Sequence, residues 1–206
     1  MDATDVVDER VDGRRARGDA TRQAVARAAA MIATVEGLDS ITVGGLAAET
    51  GVSKSGILTV FGSREAIQVG AVAEARRIYR EVVLTPVWDE APGVPRLTAL
   101  IGSWVDYIKA KTFPGGCFVA TASVEYGHRD GVVAESVRRV KREWLDLLEA
   151  DLVEAGSAAP ADDAFRIDSY LCMANARFQL FGGDAEIDRA GRLALEVIEA
   201  CPAVGP

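Results

Sequence analysis

Few side chains of this sequence are suited to covalent or metal chemistry. There is one histidine, His128, and there are three cysteines, Cys117, Cys172 and Cys201, without Cys-x-x-Cys or His-x-x-x-His spacing. Glu125 and His128 form a Glu-x-x-His pair, but the di-iron bundles that use this motif need it twice, with two further carboxylates. No Gly-rich phosphate loop or Ser–His–Asp set is present. We therefore predict no catalytic residue, no metal site and no cofactor.

Cys117 leaves two interpretations open. It follows Gly116 near the predicted start of a helix, where a lowered thiol pKa would favour oxidation. A buried, inert thiol is the alternative. Because the N-terminus has no apolar export segment, we expect reduced cysteines and a cytoplasmic protein. No apolar run reaches the ~18–20 residues of a membrane span, so we expect no membrane partner.

The side chains suited to binding are basic and lie near the start of the chain. The formal charge is −8, yet residues 10–27 hold six arginines and two aspartates. Since salt screens charges over about 8–10 Å, this local excess can attract a polyanion. We predict a disordered arm over residues 1–19 whose arginines reach a DNA minor groove, the alternative being a merely solvated arm. The arginines expected to reach the groove are those of residues 10–17, and the six of the basic stretch are Arg10, Arg14, Arg15, Arg17, Arg22 and Arg27.

Helical periodicity of the apolar residues runs from about residue 20 to residue 200, without the alternation of a strand. Glycines and prolines divide this stretch. We therefore predict an all-α fold of nine helices, covering approximately residues 20–36, 43–50, 54–61, 63–84, 97–108, 117–126, 133–152, 162–181 and 187–198.

Residues 42–61 predict two helices that are too short to be stable alone and must pack on each other. Gly51 lies where the intervening turn needs a left-handed backbone, and Ser53 is placed to cap the second helix. This pattern is typical of a helix-turn-helix, whose second helix enters the DNA major groove. A plain helical hairpin is the alternative. The predicted core residues are Leu46, Ala47, Val52, Ile57 and Phe61.

The segment Thr42–Phe61, followed by Gly62-Ser63-Arg64-Glu65, resembles the TetR family of transcriptional regulators, with a match over about residues 20–68. Pro114-Gly115-Gly116-Cys117-Phe118 is similar to a segment of some members' regulatory domains. The resemblance implies a helix-turn-helix domain over 20–66 and an effector-binding and dimerisation domain over 67–206. The chain departs from the family at Leu58, Thr59 and Val60, where relatives often have Tyr or His.

On this resemblance we assign the DNA-binding roles residue by residue. Thr42 offers a hydroxyl and free helix N–H groups to a phosphate, and Lys54 binds a phosphate or a guanine edge. Gly56 leaves room for the DNA backbone, and Arg64 is expected to clamp a phosphate. The full set is Thr42, Val43, Gly44, Ser53, Lys54, Ser55, Gly56, Thr59 and Arg64.

The family also implies a small-molecule effector and a homodimer formed by the last two helices, which binds a palindromic operator on double-stranded DNA. We expect a repressor that the effector releases. An enzyme or metal protein on a helical bundle, or a helical adaptor without DNA binding, are the alternatives. The predicted effector-binding residues are aromatic or polar: Trp104, Tyr107, Phe118, Tyr126, Trp144, Asn175, Arg177 and Phe178.

Overall fold

The computed structural model describes the backbone of residues 3–202 and the side chains of residues 18–202. Within this range it has nine α-helices and no strand, which confirms the predicted all-α fold. None of the described helices is both long and apolar enough to cross a membrane. The helices are α1 (Ala3–Glu36), α2 (Val43–Thr50), α3 (Lys54–Phe61), α4 (Arg64–Tyr79), α5 (Val94–Lys109), α6 (Phe118–Tyr126), α7 (Val132–Glu154), α8 (Pro160–Phe181) and α9 (Ala185–Glu199).

The N-terminus differs from the disordered arm predicted for residues 1–19, because α1 is helical from Ala3 onward. Arginine, alanine and glutamate in this segment have high helix propensity, whereas its aspartates, its valines and the glycines Gly13 and Gly18 weaken it. The side chains of Arg10, Arg14, Arg15 and Arg17 lie outside the described residues. Their contact with a minor groove therefore stays a prediction.

The helix predicted over 63–84 is not uniform. Its α-helical part ends at Tyr79, and Arg80–Leu84 form a single π-helical turn, followed by a 3-10 turn over Thr85–Val87. The Ser103 hydroxyl of α5 donates to the carbonyl oxygens of Val82 and Val83, at 3.3 and 3.0 Å. These bonds satisfy carbonyls at the altered end of the helix, where Arg80 and Leu84 face a cavity described below.

One apolar core runs through both halves of the chain. In the N-terminal half it joins Val25 and Ala29 of α1 to Leu46 of α2 and to Ile57 and Phe61 of α3, all of which are buried. This contact places the two short helices against α1. It confirms Leu46, Ile57 and Phe61 as core, while Ala47 and Val52 are half-buried against it.

The loop between α5 and α6 lies tightly between α1 and α8. The Gly115 amide donates to the Thr34 hydroxyl of α1 at 3.1 Å, and the Cys117 amide donates to the Asn175 side-chain oxygen of α8 at 2.8 Å. A Cβ on Gly115 would lie 1.8 Å from the Thr34 carbonyl oxygen. The loop therefore fits only because this position has no side chain.

Candidate functional site

The helices α2, α3 and α4 begin with the same capping arrangement. The hydroxyls of Thr42, Ser53 and Ser63 each accept a hydrogen bond from the backbone amide three residues later. Gly51 ends α2 in the left-handed conformation, with φ 70°. The predicted cap at Ser53 and left-handed turn at Gly51 are thus confirmed, and these local signals fix where α3 starts.

The polar residues of α3 lie on its exposed side. Ser53, Lys54, Ser55 and Thr59 are exposed, whereas Ile57 is buried on the opposite side. The Thr59 hydroxyl donates to the Ser55 carbonyl oxygen at 2.8 Å, which leaves its methyl group and oxygen lone pairs outward. This surface is therefore polar, capped at its N-terminal end and backed by the core.

Residues of α2 adjoin this surface. Thr42 is exposed, and Val43 and Gly44 are half-buried. A Cβ on Gly44 would lie 3.7 Å from the Lys54 ammonium nitrogen, so the lysine side chain extends beside α2. Gly56 is half-buried near the Ser53 hydroxyl. Of the nine residues predicted to bind DNA, the eight other than Arg64 thus belong to one region around the start of α3.

The Arg64 guanidinium forms hydrogen bonds to the backbone that the sequence did not predict. Its Nε donates to the Ile41 carbonyl oxygen at 2.9 Å, and its Nη2 donates to that of Asp39. Two of its three guanidinium nitrogens therefore fix the segment before α2. Its predicted role as a phosphate clamp remains untested, and a structural role is now evident.

Sequence reasoning counted Arg22 only as part of the basic stretch. Its guanidinium lies over the Phe61 ring at 5.0 Å, and its Nη2 donates to the Val60 carbonyl oxygen at 2.5 Å. Arg22 thus binds the end of α3 from α1. Such a contact depends on tertiary packing, and no local sequence signal identifies it.

A cavity of about 310 Å³ lies among α4, α5, α7, α8 and the start of α6. Trp104 and Trp144 line it, as predicted for an effector pocket, and the other six predicted residues do not line it. Its wall also contains residues that sequence reasoning missed. The additional residues are Arg76, Tyr79, Arg80, Leu84, Trp88, Cys117, Val119, Ala120, Val140, Lys141, Glu143, Leu147, Asp168, Leu171 and Cys172.

The six residues outside the lining have other contacts. Tyr107 packs edge-on against Tyr79, with ring centroids 5.4 Å apart, and Arg177 pairs with Glu186. Phe118 and Phe178 are buried in the core. Asn175 accepts a hydrogen bond from the Cys117 amide, and Tyr126 donates one to Asp39.

One polar feature of the cavity wall is the ion pair between Lys141 and Asp168. The Lys141 ammonium is 2.6 and 2.7 Å from the two Asp168 oxygens, and the Trp144 indole nitrogen donates to Asp168 at 3.0 Å. Burial, together with the nearby Asp168 carboxylate, raises the pKa of the Cys172 thiol to about 11. Lys141 and Asp168 therefore neutralise each other within the wall.

Cys117 does not have the environment expected of an oxidant sensor. Burial raises the pKa of its thiol above the ordinary value, although backbone amides at the start of α6 act in the opposite direction. A raised pKa keeps the thiol protonated at neutral pH and lowers its reactivity. The hypothesis of an activated thiol is corrected accordingly.

A polar junction joins α6 to the segment before α2. The Glu125 carboxylate accepts hydrogen bonds from the Leu38 and Asp39 amides, at 2.8 and 2.9 Å. The Tyr126 hydroxyl donates to the Asp39 carboxylate at 2.7 Å, and Arg129 forms an ion pair with the same group. Because α6 also contributes to the cavity wall, this junction physically connects the cavity with the helix-turn-helix.

Both carboxylate oxygens of Glu125 are therefore engaged in hydrogen bonds that hold the segment before α2. No group of three or more His, Cys, Asp or Glu side chains with metal-binding geometry occurs in residues 18–202. The Glu-x-x-His spacing is explained by the position of Glu125 at the junction, while His128 is exposed at the end of α6.

We expect Glu125→Gln to loosen the junction. A neutral amide replaces an ionised acceptor of two N–H bonds, and losing such a bond costs about 1.5–3 kcal/mol. Hydrogen exchange of the Leu38 and Asp39 amides should accelerate by roughly tenfold or more if the opening free energy falls by this amount. Glu135→Gln, at an exposed ion pair of α7, is the control. Unchanged exchange would contradict the role of Glu125.

The same junction predicts a dependence on acid. Hydrogen bonds from Arg129, then from Tyr126, hold the pKa of Asp39 below its ordinary value. Its contribution to stability is thus present above the unfolded-state pKa, about 3.9, and is lost as the pH falls through the lower folded-state pKa. We expect Asp39→Asn to flatten the stability profile below pH 4. The free energy of unfolding of the parent and the variant, measured at a series of pH values below 5, tests this expectation. The same dependence on pH in both proteins would argue against it.

Similar proteins agree on the fold. The model of the tetracycline repressor-like C-terminal domain matches residues 93–194. A TetR regulator from Chloroflexus aurantiacus is 22% identical, with a TM-score of 0.77, covering 89% of this chain and 96% of that one. A TetR-family regulator of Streptomyces coelicolor is 19% identical, with a TM-score of 0.76 and coverages of 90% and 96%. No curated protein matches the chain by sequence.

One similar structure carries ligands. AibR, in complex with isovaleryl coenzyme A and operator DNA, is 20% identical, with a TM-score of 0.68, and covers 84% of this chain and 98% of its own. The class that this fold and the matched domain define is a transcriptional regulator. Residues 93–194 thus match a TetR-type C-terminal domain, and the chain shares the fold of TetR-family regulators.

Proposed function

We propose that this chain is a dimeric repressor that binds a palindromic operator on double-stranded DNA and is released when a small molecule occupies the cavity. The observation that carries the proposal is the surface of α3, with Lys54, Ser55 and Thr59 exposed on a helix that is capped by Ser53. A capped helix of this length, braced by a core, is the usual reader of the major groove.

The proposed interface divides into base-reading and phosphate-binding parts. Ser55 and Thr59 face the groove, where their hydroxyls can bond to base edges, and the Lys54 ammonium, which extends beside α2, binds a phosphate. Thr42 and the first amides of α2 face a phosphate, and the small residues Gly44 and Gly56 allow the DNA backbone to approach. Ser53 and Val43 complete this surface at the two helix starts.

The dimer is supported by an exposed apolar face on α8. Phe165, Met173, Leu180 and Phe181 have 72%, 61%, 75% and 75% of their surface exposed. The first three lie at helical spacing, with Ser169 and Ala176 between them on the same side of the helix. An apolar face of this kind usually marks a protein interface. Two-fold pairing would place two α3 helices about 34–36 Å apart, the spacing of consecutive major grooves.

The release step is supported by the elements that link the cavity with the DNA surface. Helix α4 begins beside α2 with Arg64 and ends at the cavity with Arg76 and Tyr79. A ligand that displaces its end would tilt the two reading helices apart. The required coupling is about 1–3 kcal/mol, which changes the affinity for DNA by about 5–150-fold. AibR, which has a similar fold, forms a complex with isovaleryl coenzyme A and operator DNA, so one protein of this fold binds both kinds of ligand.

We expect Lys54→Ala to weaken operator binding and to reduce its dependence on salt. Each lost phosphate contact lowers the slope of log K against log salt by about 0.9, so a dimer should lose about two. Duplexes selected from a random pool provide the operator, and binding is measured over a salt series. Arg142→Ala removes an exposed positive charge from α7 and is the matched control.

Three outcomes are informative. A reduced slope for Lys54→Ala alone supports the proposed phosphate contact. Equal slopes for both variants and the parent would contradict that assignment. Failure of the parent chain to select any duplex, even in dilute buffer, would overturn DNA binding and favour the helical adaptor.

A further inference from the structure

The apolar part of the cavity wall defines the size and shape of its ligand. Trp88, Trp104 and Trp144 contribute three indole rings, and aliphatic side chains such as Leu84 and Leu171 fill the space between them. A volume of about 310 Å³ lies at the lower end of the range of small-molecule pockets. The wall is therefore suited to a compact ligand with an aromatic or branched apolar body.

The charges of the wall do not cancel. Five charged side chains line the cavity, and four of them form two ion pairs: Arg76 with Glu143 at 2.5 Å, and Lys141 with Asp168 at 2.6 Å. The fifth, Arg80, makes no side-chain hydrogen bond or ion pair with any residue whose side chain the structure describes. One positive charge is left over.

Arg80 is placed to meet a ligand at the outer end of the cavity. It is the first residue of the π-helical turn, is exposed to solvent and lies one turn beyond the Arg76–Glu143 pair. A guanidinium binds a carboxylate through two parallel hydrogen bonds. A cationic ligand would be repelled by Arg80, and it would find both acidic groups of the wall already paired.

We propose that the cavity takes a small aromatic monocarboxylate, with its rings among the tryptophans and its carboxylate on Arg80. The inference rests on the proposed function in one respect, namely that the cavity is the effector site. It adds the charge and chemical class of the ligand. Neutral relatives of such an acid would share the ring contacts and lack the ion pair.

The test is a calorimetric titration of the full chain, without DNA, with three ligands of equal ring size: 2-naphthoate, 2-naphthylmethanol and 2-naphthylmethylamine. We expect the acid to bind at least about tenfold more tightly than the alcohol, since a hydrogen bond to a charged group supplies the difference. The amine should bind most weakly. In Arg80→Gln the acid should fall to the affinity of the alcohol, which itself should not change, and Arg142→Gln should alter neither.

The outcomes separate this inference from the proposed function. Equal or tighter binding of the alcohol or the amine would overturn the assignment of an anion, and so would an unchanged preference in Arg80→Gln. No binding of any of the three would overturn the cavity as a site for aromatic acids. Because the titration needs no operator, a failure of DNA binding leaves it unaffected. If the acid binds as expected but does not release DNA, the ligand class stands and the effector role falls.

Discussion

Gly115→Ala is expected to lower the free energy of unfolding by about 3 kcal/mol or more, at the upper end of the range for overpacked sites. The added Cβ would lie 1.8 Å from the carbonyl oxygen and 2.3 Å from the carbonyl carbon of Thr34. These are backbone atoms of α1, so no side-chain rotation relieves the overlap. Moving the loop would also break the bond from the Gly115 amide to the Thr34 hydroxyl.

Urea unfolding of the variant and the parent measures this loss. The matched control is Gly102→Ala on α5, where an added Cβ meets no atom within 4 Å. Because alanine is favoured over glycine inside a helix by roughly 0.5–1 kcal/mol, the control should be neutral or slightly stabilised. Equal midpoints for Gly115→Ala and the parent would contradict the tight contact with α1.

Glutamate at two positions of the exposed α8 face should separate the proposed dimer. In Met173→Glu/Leu180→Glu, four carboxylates of a two-fold dimer would face an apolar interface, at which unpaired charges are costly. We expect a monomer at micromolar concentration. Operator affinity should fall by about 100-fold or more, because joining two half-site contacts in one molecule contributes a factor of this size. The fold should survive, since both side chains are largely exposed in the single chain.

Sedimentation and DNA binding measured on the same samples test this expectation. Val124→Glu is the matched control, because Val124 is 83% exposed on α6, away from α8. A dimer that persists in the double variant would place the subunit contact elsewhere. A monomer that keeps the parent's affinity would contradict the need for two subunits.

The helix-turn-helix was predictable because its determinants are local. Gly51 and Gly62 end helices, and the hydroxyls of Ser53 and Ser63 cap the helices that follow. Apolar spacing alone then identifies Leu46 and Ile57 as core. These signals depend on residues a few positions apart, so they can be identified from the sequence without knowledge of the tertiary structure.

The cavity was less predictable because its wall combines residues that are distant in sequence. Of the residues predicted to bind an effector, Trp104 and Trp144 line the cavity, whereas Tyr126 bonds instead to Asp39, 87 positions earlier. The Lys141–Asp168 pair spans two helices and has no local pattern. Aromatic residues mark both core and pocket, and only the packing of α4, α7 and α8 decides between them.

The extent of α1 illustrates a different limit. Composition predicted disorder for residues 1–19, in which arginine and alanine favour a helix and aspartate, valine and glycine do not. Because this segment is polar, no apolar periodicity marks the residue at which α1 begins, and the buried stripe of the helix starts only at Val25.

The loop between α5 and α6 has a consequence for how a ligand would act on the protein. Its Gly115 amide is bound to α1, against which α2 and α3 pack, and its Cys117 amide is bound to α8, which carries the proposed subunit contact. Cys117 also belongs to the cavity wall. If the chain pairs through α8 as proposed, this loop links the subunit contact to the helices α2 and α3, and a ligand touching Cys117 would act on that link.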